Sequence, residues 1–368
     1  NPSYLEHYLD AMDEQLRQYH LEDYVFSDVT VGGGTPLILT EKQLERLFSF
    51  IDRGMGKVQN YPVIIETSPN QTTEGKLAIA KAHHTQRVSI GVQSFQKEEL
   101  KRLCRVHSAE QARKAVALIR KQEFACMNLD LIYGIPGQTR DSLGETLREA
   151  LFYQPEELFI YPLYVKPGTP LANREEKPSD QTCFFYEMIR EYLSLHGYEQ
   201  YSMRRFVRSD VATVFPAESC GFGNTLSLGC GGRSYLGNLH FCTPYSVRQT
   251  ECIQRLDAYL ETKDYTKITH GFILDEEEEK RRYVMKNILF ASGLNVNEYY
   301  RIFAGDLKQD FPLLSDWESE GYLRLCGENY LLTEEGMAYS DALGPQLISE
   351  QVRGLMQEWE HNFITGAI

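Results

Sequence analysis

The sequence predicts an α/β fold in which strand–helix units form a parallel sheet curled into a barrel, followed by further α/β segments. Three observations predict it. Apolar strand-like runs alternate with amphipathic helical runs five times between Val25 and Gly168, and strands separated by helices pair in parallel. Two of the helices open with capping boxes, Thr40 with Gln43 and Ser108 with Gln111, which fix where they start. The strands end in glycines and polar residues, the composition expected where a parallel sheet presents a ligand site.

The elements follow in order. Tyr4, Leu5, Tyr8, Leu9, Met12 and Leu16 recur on one helical face at the start of the chain. Val25 to Val31 reads as a strand, and "GGGTP" follows it. The helix begun by Thr40 carries Leu44, Leu47, Phe48 and Ile51 on its apolar face. Strands are then expected over 62–69, 86–95, 126–137 and 158–168, with helices over 74–83, 97–104, 109–121 and 141–153. Ser179 to Leu195 reads as a further helix. An acidic helix start, "LDEEEEKRRYVMKNILF", opens the C-terminal part, and "GYLRLCGENYLLTEEGMAYSDAL" resembles a winged-helix hairpin. The expected division is 1–175 for the barrel, 176–270 for a further α/β region and 271–368 for a small winged-helix-like domain.

Composition bounds the function. A chain of 368 residues with 42% hydrophobic content can bury a large core. Its longest apolar runs fall far short of the roughly 20 residues that a membrane helix needs, and "NPSYLEHYLD" lacks the basic flank and greasy centre of a signal peptide. A cytoplasmic protein with no membrane partner is expected. Eight scattered cysteines read as reduced thiols. A net charge of −14 disfavours a nucleic-acid surface, and the winged-helix-like C-terminal part is itself rich in acid.

The strand ends supply Gly32, Gly33, Gly34 and Thr35, then Glu66, then Gln93 and Ser94, then Asp130 and Tyr133, then Tyr164. Taken singly, a glycine run serves a tight turn as readily as a ligand cradle, and an acid at a strand end can cap the next helix. Five such ends converging on one rim point to a site. Cys220, Cys230, His240 and Cys242 fall in a glycine-rich segment, but their spacings match no standard metal-ligand pattern, and no metal ligand is assigned.

"GGGTP", "IIETSPN", "RVSIGVQSF", "LCRVH", "NLDLIYGIPGQT" and "YPLYVKPGTPL" resemble, in order and approximate spacing, the radical S-adenosylmethionine (SAM) enzymes related to oxygen-independent coproporphyrinogen III oxidase, the HemN/HemW-like family. The resemblance is strong over residues 24 to 170, looser through "GYEQYSMRRF" and "LSLGCGGRS", and faint beyond. It implies a partial (β/α)6 barrel holding SAM beside a [4Fe-4S] cluster, with residues 176–270 as a substrate-covering α/β region, the acidic C-terminal domain as a lid, and flavodoxin or ferredoxin as electron donor. Gly33, Gly34 and Thr35 would meet the methionyl end of SAM and Arg105 its carboxylate. Glu66, Gln93 and Asp130 would bond the ribose and methionyl group, and the backbone at Tyr164 would face the adenine. Backbone without side chains and the planar donor fork of arginine suit those tasks.

The family's Cys-x3-Cys-x2-Cys triad does not occur here; the closest cysteines, such as Cys220 and Cys230, stand ten positions apart. The resemblance places that triad, with the first strand and cluster loop, upstream of Asn1, so that residues 1–368 alone would be catalytically silent. Arg204 and Arg205, with Arg208 nearby and Arg233 in "CGGRS", suit the carboxylates of a tetrapyrrole or a related multi-carboxylate substrate, and equally suit a solvated charged strand. The "HN…YW" stretch common in close relatives is absent. Two functions follow from the resemblance: a radical SAM oxidoreductase acting on such a substrate, or a haem-binding, haem-delivering protein.

Overall fold

Alternation of strand and helix builds a seven-stranded sheet in the computed structural model of the chain, which describes residues 2–55, 61–165, 171–172, 177–211, 223–244, 246 and 249–365. The order along the chain is α1 (Pro2–Gln18), β1 (Val29–Val31), α2 (Glu41–Met55), β2 (Val63–Thr67), α3 (Glu74–Ala82), β3 (Thr85–Gln93), α4 (Lys97–Arg102), α5 (Ala109–Lys121), β4 (Cys126–Tyr133), α6 (Arg140–Phe152), β5 (Glu157–Pro162), α7 (Thr182–Leu195), β6 (Tyr198–Gln200) and β7 (Arg205–Arg208). In space the strands run β1-β2-β3-β4-β5-β7-β6. The first five are parallel; β7 runs antiparallel to β5, and β6 to β7.

Strand geometry sorts the side chains by face, because successive residues point to opposite sides. Val63 and Ile65, Val88, Ile90 and Val92, Met127, Leu129 and Leu131, and Leu158 and Ile160 form the core with Leu44, Phe48, Leu77, Val116 and Leu147 of the helices. The other face is polar. Both capping boxes are present: the Gln43 amide N–H donates to Thr40 Oγ1 while the Thr40 N–H donates to Gln43 Oε1, and Ser108 and Gln111 do the same.

The structure departs from expectation in three places. The first strand begins at Val29, not Val25: Leu21–Asp23 is a 3-10 turn, and Tyr24 and Val25 are exposed. Their alternation had no face to bury, and β1 lies at the sheet edge. The fourth strand stops at Tyr133 because Gly134 and Gly137, both at positive φ, turn the chain away. The antiparallel β6–β7 pair joins the main sheet, so the charged strand that is one reading of the arginine run is largely buried in it and not solvated, with Gly197 at φ 78 turning the chain into β6. The tail of the expected 158–168 strand and Cys220 lie outside the described residues.

Beyond the sheet, β8 (Arg233–Leu236), β9 (Leu239–Cys242) and β10 (Gly271–Ile273) form a second, antiparallel sheet, and α8 (Gln249–Glu261) packs on α1. Tyr259 donates to Gln15 Oε1 at 2.7 Å across that contact. The C-terminal part comprises α9 (Glu276–Ile288), β11 (Leu294–Asn295), α10 (Val296–Phe303), α11 (Leu307–Asp310), α12 (Leu313–Ser319), β12 (Leu323–Cys326), β13 (Asn329–Leu332), α13 (Glu334–Ala338), α14 (Ser340–Leu343) and α15 (Glu350–Thr365). The expected hairpin is β12–β13, and Val284, Ile288, Trp317, Leu323 and Leu347 give this part its own core. Among the described residues no helix is long and apolar enough to cross a membrane.

Candidate functional site

The polar face of the sheet has two levels. At the start of β5, buried Glu157 receives two guanidinium groups. Arg87 Nε donates to Glu157 Oε2 at 2.6 Å, and Arg205 Nε donates to Oε1. All three side chains are buried, and both guanidinium groups flank the Phe159 ring, at 5.8 and 5.9 Å. Burial opposes the charge on Arg87, but Glu157 outweighs it and raises the arginine pKa. Every charge here has a partner, the condition under which buried ions are tolerated.

One level up, at the carboxyl ends of the strands, a cleft of about 450 Å³ opens. Gly34 and Thr35 after β1, Glu66 of β2, Ser89, Gly91 and Gln93 of β3, Arg105 after α4 and Asp130 of β4 line it. Gly33 and Gly34 both have positive φ, and a Cβ on either would meet no protein atom within 4 Å, so backbone faces open space. The Gly33 N–H donates to Glu66 Oε2 at 3.1 Å. A Cβ on Gly91 would stand 2.8 Å from Gln93 Nε2, so a side chain there would push the Gln93 amide aside. Gln93 itself takes φ +69 beside a register shift, a conformation that costs energy and collects at functional positions.

The electrostatics of the cleft are unbalanced. Asp130 is pushed up to about 7, chiefly by burial, which the Asn128 side-chain bond (2.8 Å) and Arg87 only partly offset. Arg105 is exposed toward the cleft yet crowded behind, and desolvation lowers its pKa against the pull of Asp130. Among the described residues its guanidinium has no hydrogen-bond or ion-pair partner. His107 is buried and its Nε2 donates to the Val92 carbonyl at 3.1 Å, which pins the Arg105 loop to the end of β3.

Six of the expected residues, Gly34, Thr35, Glu66, Gln93, Arg105 and Asp130, surround this one cleft, and Gly33 adjoins it through Glu66. Tyr164 does not line it; its hydroxyl donates to Asp341 Oδ2. The arginines do not form one cluster. Arg204 pairs with Asp341, Arg205 is committed to Glu157, Arg208 pairs with Asp210, and Arg233 stands on the second sheet. A strand's two-residue period sends neighbouring arginines to opposite faces. Ser89, Gly91 and His107 were not singled out in the sequence, although Ser89 and Gly91 share the face of Gln93 at period two, which is the signal that could have found them.

A profile of the radical SAM superfamily matches residues 2–150. The heme chaperone HemW of Escherichia coli is 24% identical over 94% of this chain and 90% of its own length. That of Haemophilus influenzae is 27% identical over 63% of this chain and 62% of its own length, so the chain spans under two thirds of that relative. The oxygen-independent coproporphyrinogen III oxidase of Pseudomonas aeruginosa is 24% identical over 88% of this chain and 74% of its own length. The solved structure of coproporphyrinogen III oxidase (HemN) from E. coli superposes with a TM-score of 0.79 at 22% identity, covering 94% of this chain and 84% of that one. Residues 2–150 thus carry a radical SAM domain, and the chain as a whole is similar to the HemN/HemW-like proteins.

A radical SAM domain implies SAM and a [4Fe-4S] cluster. The cleft fits SAM: an unpartnered guanidinium for a carboxylate, the Glu66 carboxylate for an ammonium, a buried carboxyl titrating near neutrality for hydroxyls, and side-chain-free backbone between them. Among the described residues no group of three or more His, Cys, Asp or Glu side chains could hold a metal ion.

Proposed function

We propose that this chain binds SAM in the cleft at the carboxyl ends of β1 to β4 and acts as a radical SAM oxidoreductase on a tetrapyrrole or related multi-carboxylate substrate. The observation that carries the reading is Arg105: an arginine without a carboxylate, held over a cleft whose opposite wall is glycine backbone. SAM, on one-electron reduction by a carrier of the flavodoxin or ferredoxin type, supplies the 5′-deoxyadenosyl group that abstracts a hydrogen atom from substrate.

The chain's own residues do the positioning. Arg105 takes the methionyl carboxylate in its donor fork. Glu66, braced by the Gly33 N–H at 3.1 Å, takes the ammonium. Asp130 and Gln93 hold the ribose hydroxyls; Asp130 accepts when ionised and donates when protonated, and its pKa near 7 permits both. Arg204 meets a substrate carboxylate, whereas Arg205 serves the sheet. None of the eight cysteines of residues 1–368 stands in a Cys-x3-Cys-x2-Cys triad, and none is assigned as a cluster ligand; iron and sulfide near about four of each per chain after reconstitution would overturn that assignment.

A second reading is favoured by the HemW relatives of E. coli and H. influenzae, both heme chaperones: this chain binds and delivers haem. Anaerobic incubation of the reconstituted protein with dithionite and SAM separates the two. Release of 5′-deoxyadenosine that depends on substrate supports the oxidoreductase. Tight haem binding without turnover supports delivery.

A further inference from the structure

Arg204 stands immediately before β7, at the mouth of the sheet, and its charge is met from far along the chain. Its Nη2 donates to Asp341 Oδ1 and, at 2.9 Å, to the Tyr164 hydroxyl, while that hydroxyl donates to Asp341 Oδ2. The rings of Tyr161 and Tyr164 lie 6.0 and 5.6 Å from the guanidinium. The arrangement is a built seat for one carboxylate: an arginine fork, a phenol donor and two aromatic walls.

Asp341 does not fill that seat. Arg204 Nε is buried without a hydrogen-bond partner among the described residues, and so is the hydroxyl of Tyr133, whose side chain is 1% exposed. Burial pushes the Tyr133 phenol up, and the charges of Tyr164, Asp341 and Arg204 all act on it. Two buried donors left over around an occupied arginine call for a larger acceptor than one aspartate oxygen pair. The seat also adjoins the cleft, since Tyr161 feels the charges of both Asp130 and Arg204.

The aspartate is replaceable. Asp341 and Arg204 keep about a third of their side-chain surface in water, 35% and 36%, and an ion pair so exposed holds weakly. Asp341 lies on α14, beside the C-terminal core. That part also meets the sheet side through Arg190 Nη1 to Glu334 Oε2 at 2.7 Å and through the Ala291 N–H to the Tyr201 carbonyl at 2.9 Å.

We propose that Asp341 is an internal stand-in for a substrate carboxylate, and that a substrate carboxylate displaces it from Arg204 and Tyr164 and also takes up the unpartnered Arg204 Nε and Tyr133 hydroxyl, releasing α14 from the mouth of the sheet. The proposal rests on the reading of a multi-carboxylate substrate. It makes the C-terminal part a cover that the correct ligand unlocks for itself, because only a carboxylate competes for the seat.

The test titrates coproporphyrin III, and separately its tetramethyl ester, into the full chain by fluorescence quenching, without SAM or reductant. Asp341→Asn should bind the acid about tenfold more tightly than the unmodified chain, because the competitor is weakened. The ester should gain nothing. Arg204→Gln should lose the preference for acid over ester, and Tyr164→Phe should reduce it severalfold if the arginine variant fails to fold. The proposal is overturned if Asp341→Asn binds the acid no more tightly, or if the ester gains equally. Failure of every variant to bind the acid also overturns it, while SAM titration and 5′-deoxyadenosine release still judge the radical SAM reading by themselves.

Discussion

Two acidic side chains on the same face of the sheet have opposite fates. Glu157 sits between Arg87 and Arg205 with both oxygens engaged, whereas Asp130, one strand away, has a single amide, from Asn128, and a pKa pushed up to about 7. Across the cleft from Asp130, Arg105 has no partner among the described residues. A charged group whose hydrogen bonds are saturated holds the sheet together; one left short is held ready for something else. The comparison can be broken or sharpened by treating each side chain alike.

The largest effect should come from the saturated level. Glu157→Ala leaves two buried guanidinium groups facing each other, and loss of one partner of a buried pair costs about 3–5 kcal/mol. Urea unfolding should show that loss or no folded protein at all. A loss below about 1 kcal/mol would mean that the level is wetter than its burial indicates.

Asp130 should come next, and through pH. Its folded-state pKa lies above the unfolded value, so the folded chain binds the proton more tightly. Stability from this group is therefore present in acid and lost as pH rises toward about 7. Asp130→Asn cannot titrate, and its unfolding free energy should fall less than that of the unmodified chain between roughly pH 5 and 8, by about 2 kcal/mol. Parallel pH curves for the two proteins would assign Asp130 to the saturated class.

Arg105 should separate binding from stability. Arg105→Leu breaks no ion pair seen in the structure, so its melting point should stay within error. Its affinity for SAM, read by calorimetry, should drop at least about tenfold, roughly 1.4 kcal/mol. An analogue lacking the methionyl carboxylate should be unaffected. Equal losses for both ligands would move Arg105 out of that contact.

The saturated level was not readable from the sequence, and the cleft largely was. Glu66, Gln93, Arg105 and Asp130 each sit at or near a strand end, where order along the chain translates into position around the rim. Glu157 fell just before the expected 158–168 strand and was not singled out, since its partners come from positions 70 and 48 residues away. The same distance in sequence, 137 positions, hid Asp341 from Arg204. The capping boxes at Thr40 and Ser108 were legible because both partners lie within one helical turn. Val25 misled because alternation predicts a strand only if some face is there to bury it; here it is 84% exposed.

Gly33 gives the smallest effect and the finest division between fold and site. Its φ of +83 suits glycine, and a Cβ would meet no protein atom within 4 Å. Gly33→Ala should therefore cost only the left-handed backbone, about 1 kcal/mol. The neighbouring Gly32 is different, since a Cβ there would lie 3.0 Å from the Glu66 carboxyl carbon and would disturb the protein even without ligand. If the open space beside Gly33 is where the methionyl group of SAM lies, Gly33→Ala should lose more in SAM binding than in stability, and Gly33→Val more again. Gly32→Ala should lose both together through Glu66. Unchanged SAM affinity in Gly33→Ala and Gly33→Val would reduce the glycine run to a turn, and would leave Arg105 and Asp130 to bind the cofactor from one side only.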